Sequence, residues 1–249
     1  MNEIRYDFGM IGLGVMGSNL MLNMADHGFA VIGYDTNPQK TNLFEASASK
    51  NTIVKGVNTL SEMIDTLKVP RKIMMLVPAG NPVDSVIADL SPLLQNGDII
   101  IDAGNSHYID TLRRISQLKD KGFHFMGIGI SGGEEGARKG PSIMPGGDEE
   151  AYREVEPILK AVAAKVDNEP CVDYLGHAAA GHYVKMVHNG IEYAIMQLIS
   201  ECYDLMRNGI GFSNDEIHGV FNAWDNGEMK SFLLEISATI FEKKDEKSP

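Results

Sequence analysis

From the amino terminus to about residue 175, short apolar runs alternate with stretches whose apolar positions recur at helical spacing. Phe8–Ile11, Ala30–Tyr34, Lys72–Val77, Ile99–Asp102 and Phe123–Ile130 read as buried strands. Val15–His27, Pro82–Leu94 and Tyr108–Lys121 read as amphipathic helices between them. Alternation at this spacing predicts an α/β fold, a mostly parallel sheet with helices on both faces. Gly28 stands where the first helix should stop, and Asn81-Pro82 and Ser91-Pro92 mark turns.

Beyond Gly176 the strand signal disappears. One long helical stretch, Ala179–Asn208, carries apolar residues at Val184, Val187, Ile191, Ala194, Ile195, Leu198 and Leu205. Two more helical regions follow, Asn214–Trp224 and Met229–Phe241. The expected organisation is a doubly wound domain over 1–178 and the beginning of an all-helical domain over 179–249. The charged tail from Glu242 to Pro249 has no apolar face and reads as a solvated helix end or a chain boundary.

Composition narrows the function classes. With 249 residues, 43% of them hydrophobic, the chain can bury a sizeable core. A net charge of -12 argues against a general nucleic-acid binder, because phosphate backbones demand a broad basic face. Two cysteines, Cys171 and Cys202, form no CxxC pair and point to a reducing, cytoplasmic setting. The first residues run straight into a strand pattern, so no signal peptide is expected. No apolar run approaches the ~20 residues of a membrane span.

Gly12-Leu13-Gly14-Val15-Met16-Gly17 fits G-x-G-x-x-G between a strand and a helix, and Asp35 ends the next strand eighteen residues after Gly17. In that context the motif predicts a Rossmann-type dinucleotide site. Gly12 makes the tight turn, Gly14 admits the pyrophosphate and Gly17 allows close packing of helix on strand. The pyrophosphate would lie on the positive end of the helix. Asp35 would accept hydrogen bonds from the adenosine ribose of NAD and repel the 2′-phosphate of NADP, so NAD is favoured and NADP remains possible.

Two more loops belong to the same sheet edge. Ile130-Ser131-Gly132-Gly133-Glu134-Glu135-Gly136 follows the fifth strand, where adjacent glycines free successive N–H groups to form an anion-binding concavity. Asp102-Ala103-Gly104-Asn105-Ser106 ends the neighbouring strand. Ligands in open α/β sheets bind outside the carboxyl ends of strands, where both loops should lie. Further on, Lys185, Asn189 and Glu192 are spaced i, i+4, i+7 and share one helix face, within about 40° of Lys185. Gly181 precedes the stripe and Gly190 falls within it, and each costs ~1 kcal/mol in a helix. Close approach by a ligand or by the first domain would account for them. His177, His182 and His188 do not share a helical face, and no metal is expected.

Together these stretches resemble the 6-phosphogluconate dehydrogenase family over essentially the whole chain. The most specific segments are Ile130 to Arg138 and Lys185-Met186-Val187-His188-Asn189-Gly190-Ile191-Glu192-Tyr193. The glycine fingerprint and the counterparts of Lys185 and Asn189 are shared with the wider β-hydroxyacid dehydrogenases. The resemblance implies oxidative decarboxylation of 6-phosphogluconate to ribulose 5-phosphate and CO2, with hydride passing to NAD(P). It makes Lys185 the general base on the C3 hydroxyl, which needs a neutral lysine, hence burial or nearby positive charge. It makes Glu192 the acid that protonates C1 of the enediol, with Asn189 beside them. It places substrate contacts at Asn105, Ser131, Gly132, Gly133, His188, Asn189 and Tyr193. Cofactor contacts fall at Gly12, Leu13, Gly14, Val15, Met16, Gly17, Asp35, Val77, Ala79 and Asn105.

The family also implies a homodimer at full length, and this chain is expected to stop short of the later basic residues that hold the substrate phosphate. It departs from the family in reading Tyr34-Asp35-Thr36-Asn37 where NADP-using relatives carry Asn-Arg-Thr, and in having Pro78 where many have lysine. The competing expectations are a non-decarboxylating 3-hydroxyacid dehydrogenase, which needs no acid at Glu192, and a dinucleotide-binding module with little activity.

Overall fold

The computed structural model describes residues 4–243, which fall into two compact units, one through Val187 and one from His188. The first unit opens with β1 (Phe8–Ile11), α1 (Val15–Asp26), β2 (Val31–Tyr34) and α2 (Pro38–Ala46). It continues through β3 (Val54–Val57), α3 (Leu60–Thr66), β4 (Lys72–Met75), α4 (Asn81–Leu90), β5 (Ile99–Asp102) and α5 (Tyr108–Lys119). Then come β6 (His124–Ser131), α6 (Gly133–Lys139), β7 (Ser142–Gly147), α7 (Glu149–Val162) and a small hairpin of β8 (Lys165–Val166) and β9 (Glu169–Pro170). The long helix α8 (Ala180–Asp204) follows.

The main sheet has the order β3-β2-β1-β4-β5-β6-β7. Its first six strands are parallel and β7 runs antiparallel to β6. Alternate strand residues supply two cores, as a period of two requires. Phe8, Met10, Met74, Ile99, Ile101, Met126 and Ile128 pack on one face, and Ile11, Ile32, Ile73, Met75, Ile100 and Phe125 on the other. The strand order reverses direction between β1 and β4, so the crevice at their carboxyl ends is the expected ligand position.

The doubly wound reading holds, with differences that have physical causes. Two strands of the main sheet escape the apolar pattern, as does the short β8–β9 hairpin. β3 is an edge strand of four residues with Lys55 and Gly56 at its centre, and β7 ends in Pro145-Gly146-Gly147. β4 stops at Met75 rather than Val77, which releases Leu76–Gly80 as a loop at the sheet edge.

In the second unit, α8 gives way to a wider π-type turn (Leu205–Ile210), followed by α9 (Asn214–Asp225) and α10 (Phe232–Glu242). Ser213 and Glu216 form a reciprocal capping box at the start of α9. Met206, Ile217, Phe221, Leu234 and Ala238 form a small separate core. The apolar residues Ile191, Ile195, Leu198 and Leu205 of the long helical stretch remain exposed within this chain.

Candidate functional site: a dinucleotide cleft and a buried helix lysine

The glycine loop adopts the shape its sequence requires. Gly12 has φ 96°, and an added Cβ there would lie 2.5 Å from the Leu76 carbonyl oxygen. At Gly17 the Cβ would lie 2.0 Å from the Gly12 carbonyl oxygen, so any side chain would drive α1 off the strand. At Gly14 it would meet nothing within 4 Å, which leaves the backbone open to a ligand. Gly14 caps α1 without a side-chain hydrogen bond, and the first turn holds no acid. No side chain of the helix itself offsets its positive end, which fits a pyrophosphate. Val15 is exposed and Met16 half-buried beside it.

Asp35, at the end of β2, is only 8% exposed. Its Oδ2 accepts the Leu13 N–H at 2.9 Å and its Oδ1 the Asn37 N–H at 2.9 Å, while the Lys40 ammonium stands 3.4 Å away. Leu13 thus contributes structure: its N–H holds Asp35 and its side chain lies in the core. A cleft of about 350 Å³ adjoins this carboxylate. Gly12, Gly14 and Asp35 line it together with Val77, Val86 and Asp89. Val86 and Asp89 were not singled out from the sequence; both lie on α4, one helical turn apart.

On the other side of β1, Val77 and Ala79 lie on the loop after β4, and Asn105 is exposed on the loop after β5. Ser131 is half-buried where β6 ends, and Gly132 and Gly133 follow with φ 131° and 61° at the start of α6. A Cβ at Gly132 would lie 2.9 Å from the Gly136 Cα, so the turn depends on glycine.

Lys185 is 8% exposed, because the first two turns of α8 dock on a row of glycines. A Cβ at Gly181 would lie 2.2 Å from the Gly127 carbonyl oxygen and 2.4 Å from that of Met144. One at Gly129 would lie 2.5 Å from the Lys185 Cβ. The expectation that Gly181 permits close approach by the first domain is therefore met. A Cβ at Gly190 would meet nothing within 4 Å, so close packing in this chain does not explain that glycine. The signal for the docking row was present as alternating glycines in Gly127-Ile128-Gly129, which leave one strand face smooth.

His182, 2% exposed, pins the same turn. Its Nδ1 lies 2.6 Å from the Thr111 Oγ1 of α5, and its Nε2 is buried without a hydrogen-bond partner. Burial pushes this imidazole below its ordinary range. Further along α8, His188 and Asn189 are half-buried, with the His188 Nδ1 3.3 Å from the Asn189 Oδ1 and 3.7 Å from the Glu192 carboxylate. Tyr193 is exposed. Among the described residues no group of three or more histidine, cysteine, aspartate or glutamate side chains is placed to hold a metal ion, and no helix is long and apolar enough to cross a membrane.

Comparison with known proteins agrees with this geometry. The profile for the NAD binding domain of 6-phosphogluconate dehydrogenase matches residues 7–176, and that for the 6-phosphogluconate dehydrogenase C-terminal domain matches residues 181–249. The decarboxylating 6-phosphogluconate dehydrogenase 1 of Saccharomyces cerevisiae is 54% identical over 96% of this chain and 49% of its own length. The NADP(+)-dependent decarboxylating enzyme of Bacillus subtilis is 52% identical over 98% of this chain and 52% of its own length. The chain thus spans about half the length of the curated relatives it matches. Among solved structures, Plasmodium falciparum 6-phosphogluconate dehydrogenase, described in apo form and with NADP+ and 6-phosphogluconate, superposes with a TM-score of 0.93. It is 46% identical, over 97% of this chain and 52% of that one. A Mycobacterium tuberculosis 3-hydroxyisobutyrate dehydrogenase shares the fold, with a TM-score of 0.72 at 21% identity over 92% of this chain and 73% of that one. With an NAD(P)-binding domain followed by the start of the family's C-terminal domain, the chain belongs to the 6-phosphogluconate dehydrogenase family.

Proposed function

We propose that this protein carries the cofactor-binding and catalytic-helix part of an enzyme that oxidises and decarboxylates 6-phosphogluconate to ribulose 5-phosphate and CO2. One observation carries the reading. Gly129 packs against the Lys185 stem, and the same strand ends two residues later at Ser131, where the glycine turn begins. Two strand residues span roughly 7 Å. The strand position against which the Lys185 stem packs thus lies roughly 7 Å from the start of the glycine turn, which supports a base and an anion-binding loop acting on one small sugar acid.

In this reading the bound dinucleotide supplies the hydride acceptor. Ser131, Gly132 and Gly133 hold the substrate carboxylate through the serine hydroxyl and backbone N–H groups. Asn105, His188, Asn189 and Tyr193 make the further contacts to substrate. Lys185 takes the proton of the C3 hydroxyl as C3 is oxidised, a role that requires the neutral amine. The C1–C2 bond then breaks, CO2 leaves, its electron pair passes into the adjacent ketone, and protonated Lys185 returns its proton to the C3 oxygen, giving the enediol. Glu192 donates a proton to the carbon that lost CO2, C2 of the substrate and C1 of the product, as the C3 oxygen gives its proton back to Lys185 and the ketose forms.

We further propose a preference for NAD over NADP, although the Bacillus subtilis and Plasmodium falciparum relatives are described with NADP. The support lies in the cleft: Asp35 and Asp89 both border it, and its cation Lys40 already stands against Asp35. A 2′-phosphate about 4 Å from a carboxylate is repelled by roughly 4 kcal/mol at an effective dielectric of 20. The test is reduction of NAD and of NADP with 6-phosphogluconate, followed in the 249-residue chain and in a chain of the relatives' length. Substrate-dependent reduction in the longer chain, faster with NAD at limiting cofactor, is expected. Absence of reduction would overturn the activity, and a higher kcat/KM for NADP would overturn the preference.

A further inference from the structure

Arg114, on α5, is 1% exposed and uses all five of its N–H donors. Nε donates to the Asp84 Oδ1 at 2.9 Å, and one terminal nitrogen donates to the Asp84 Oδ2 at 3.2 Å and to the Gly80 carbonyl at 3.0 Å. The other terminal nitrogen reaches the Asp102 Oδ2 at 3.3 Å and the Ser106 Oγ at 3.2 Å. Asp102, fully buried, also accepts from the Ser106 hydroxyl at 2.6 Å and from the Gly104 N–H at 3.1 Å. Asn105 therefore sits between two residues tied to one carboxylate, and the Val77–Gly80 loop is tied to the same guanidinium.

The sheet order gives this clamp a direction. β4 and β5, which carry the two loops, lie on the opposite side of β1 from β2 and Asp35. A dinucleotide laid over the carboxyl ends with its adenosine at Asp35 extends its nicotinamide half toward these loops. We propose that Arg114 is a positioning residue for the nicotinamide half of the cofactor, fixing the separation of the Val77–Gly80 and Asp102–Ser106 loops. A planar five-donor fork is suited to this task; a lysine keeps the charge but can reach only part of the network. Arg113, its neighbour, grips Asp84 from the solvent side and touches neither loop. The proposal rests on the dinucleotide reading of the cleft.

A buried guanidinium could instead serve stability alone, and two ligands separate the roles. NADH carries the nicotinamide half and ADP-ribose lacks it. Affinities for both are measured on the unmodified chain and on Arg114→Lys, with far-UV circular dichroism to confirm folding. Arg114→Lys is expected to weaken NADH at least ~10-fold while ADP-ribose changes less than ~3-fold. If the substitution prevents folding, Ser106→Ala removes one contact of the clamp without stranding a buried charge, and it should shift the affinity ratio in the same direction by more than ~3-fold. Arg113→Ala should leave the ratio unchanged. A ratio altered by less than ~3-fold, whether both affinities fall together or neither moves, overturns the positioning role. Failure of the unmodified chain to bind either ligand overturns the dinucleotide reading itself, and the proposal with it.

Discussion

Replacing Gly129 by alanine adds one carbon at the point where β6 meets α8. That carbon would lie 2.5 Å from the Lys185 Cβ, 3.0 Å from its Cγ and 3.3 Å from the Met144 Cβ. Ordinary carbon–carbon contact is ~3.5–4.0 Å, so the turn bearing Lys185 must retreat by roughly 1 Å. It cannot simply slide, because Gly181 is already in close backbone contact with Gly127, Met144 and Gly146 one turn earlier. Overpacking of this kind costs ~1–3 kcal/mol. Removing a glycine from a strand interior returns ~0.5–1 kcal/mol, so the steric cost prevails. A net loss of ~1–2 kcal/mol leaves a domain of ordinary stability folded. Catalysis is more sensitive, since a misplacement of ~1 Å can cost ~10²-fold. In a chain of the relatives' length, Gly129→Ala should therefore lower kcat by about two orders of magnitude while dinucleotide affinity stays within ~3-fold. Steady-state cofactor reduction, dinucleotide titration and urea unfolding measure the three quantities. A kcat within ~3-fold of the unmodified enzyme would refute the claim that this contact sets the position of Lys185.

Lys185→Ala should reduce turnover ~10²–10⁴-fold with cofactor affinity unchanged, and retention of near-normal kcat would remove Lys185 from the mechanism. Asp35→Asn combined with Thr36→Arg should move the kcat/KM ratio toward NADP by at least ~10-fold; an unchanged ratio would show that Asp35 does not select the cofactor. His182 ties stability to pH. Burial lowers its folded pKa below the ordinary 6.5, with Arg114 acting the same way and Asp102 opposing both. Between the folded and unfolded values the unfolded chain binds more protons, so stability falls as pH drops through that window, by up to ~1.4 kcal/mol per pH unit. Urea midpoints from pH 7.5 to 5 should fall less steeply in His182→Gln, and identical slopes would contradict this assignment.

The sequence revealed the parts of the fold whose cause is local. β1 and β5 begin and end where the apolar runs predict, and the glycine fingerprint adopts its turn because Gly12, Gly14 and Gly17 leave the backbone few alternatives. The anomaly of Gly181 was also visible, but its reason was not: the atoms that exclude a side chain there belong to β6 and β7. Arg114 and His182 gave no signal. Arg114 finds its partners on two distant stretches, Gly80 to Asp84 and Asp102 to Ser106, and His182 bonds to Thr111 across 71 residues, so neither has a sequence spacing to recognise. β3 and β7 were missed for a different reason. Lysine and glycine in an edge strand, and Pro-Gly-Gly in a strand facing a helix, oppose the local preferences on which strand recognition rests.

Decarboxylation is the central claim, and it separates this reading from simple oxidation of a 3-hydroxy acid. The direct measurement uses 6-phosphogluconate labelled at C1, with released CO2 and reduced cofactor counted in the same reaction. Equal amounts of the two are expected in a chain of the relatives' length, and loss of both in Lys185→Ala. Cofactor reduction without labelled CO2, leaving the label in a 3-keto acid, would contradict it.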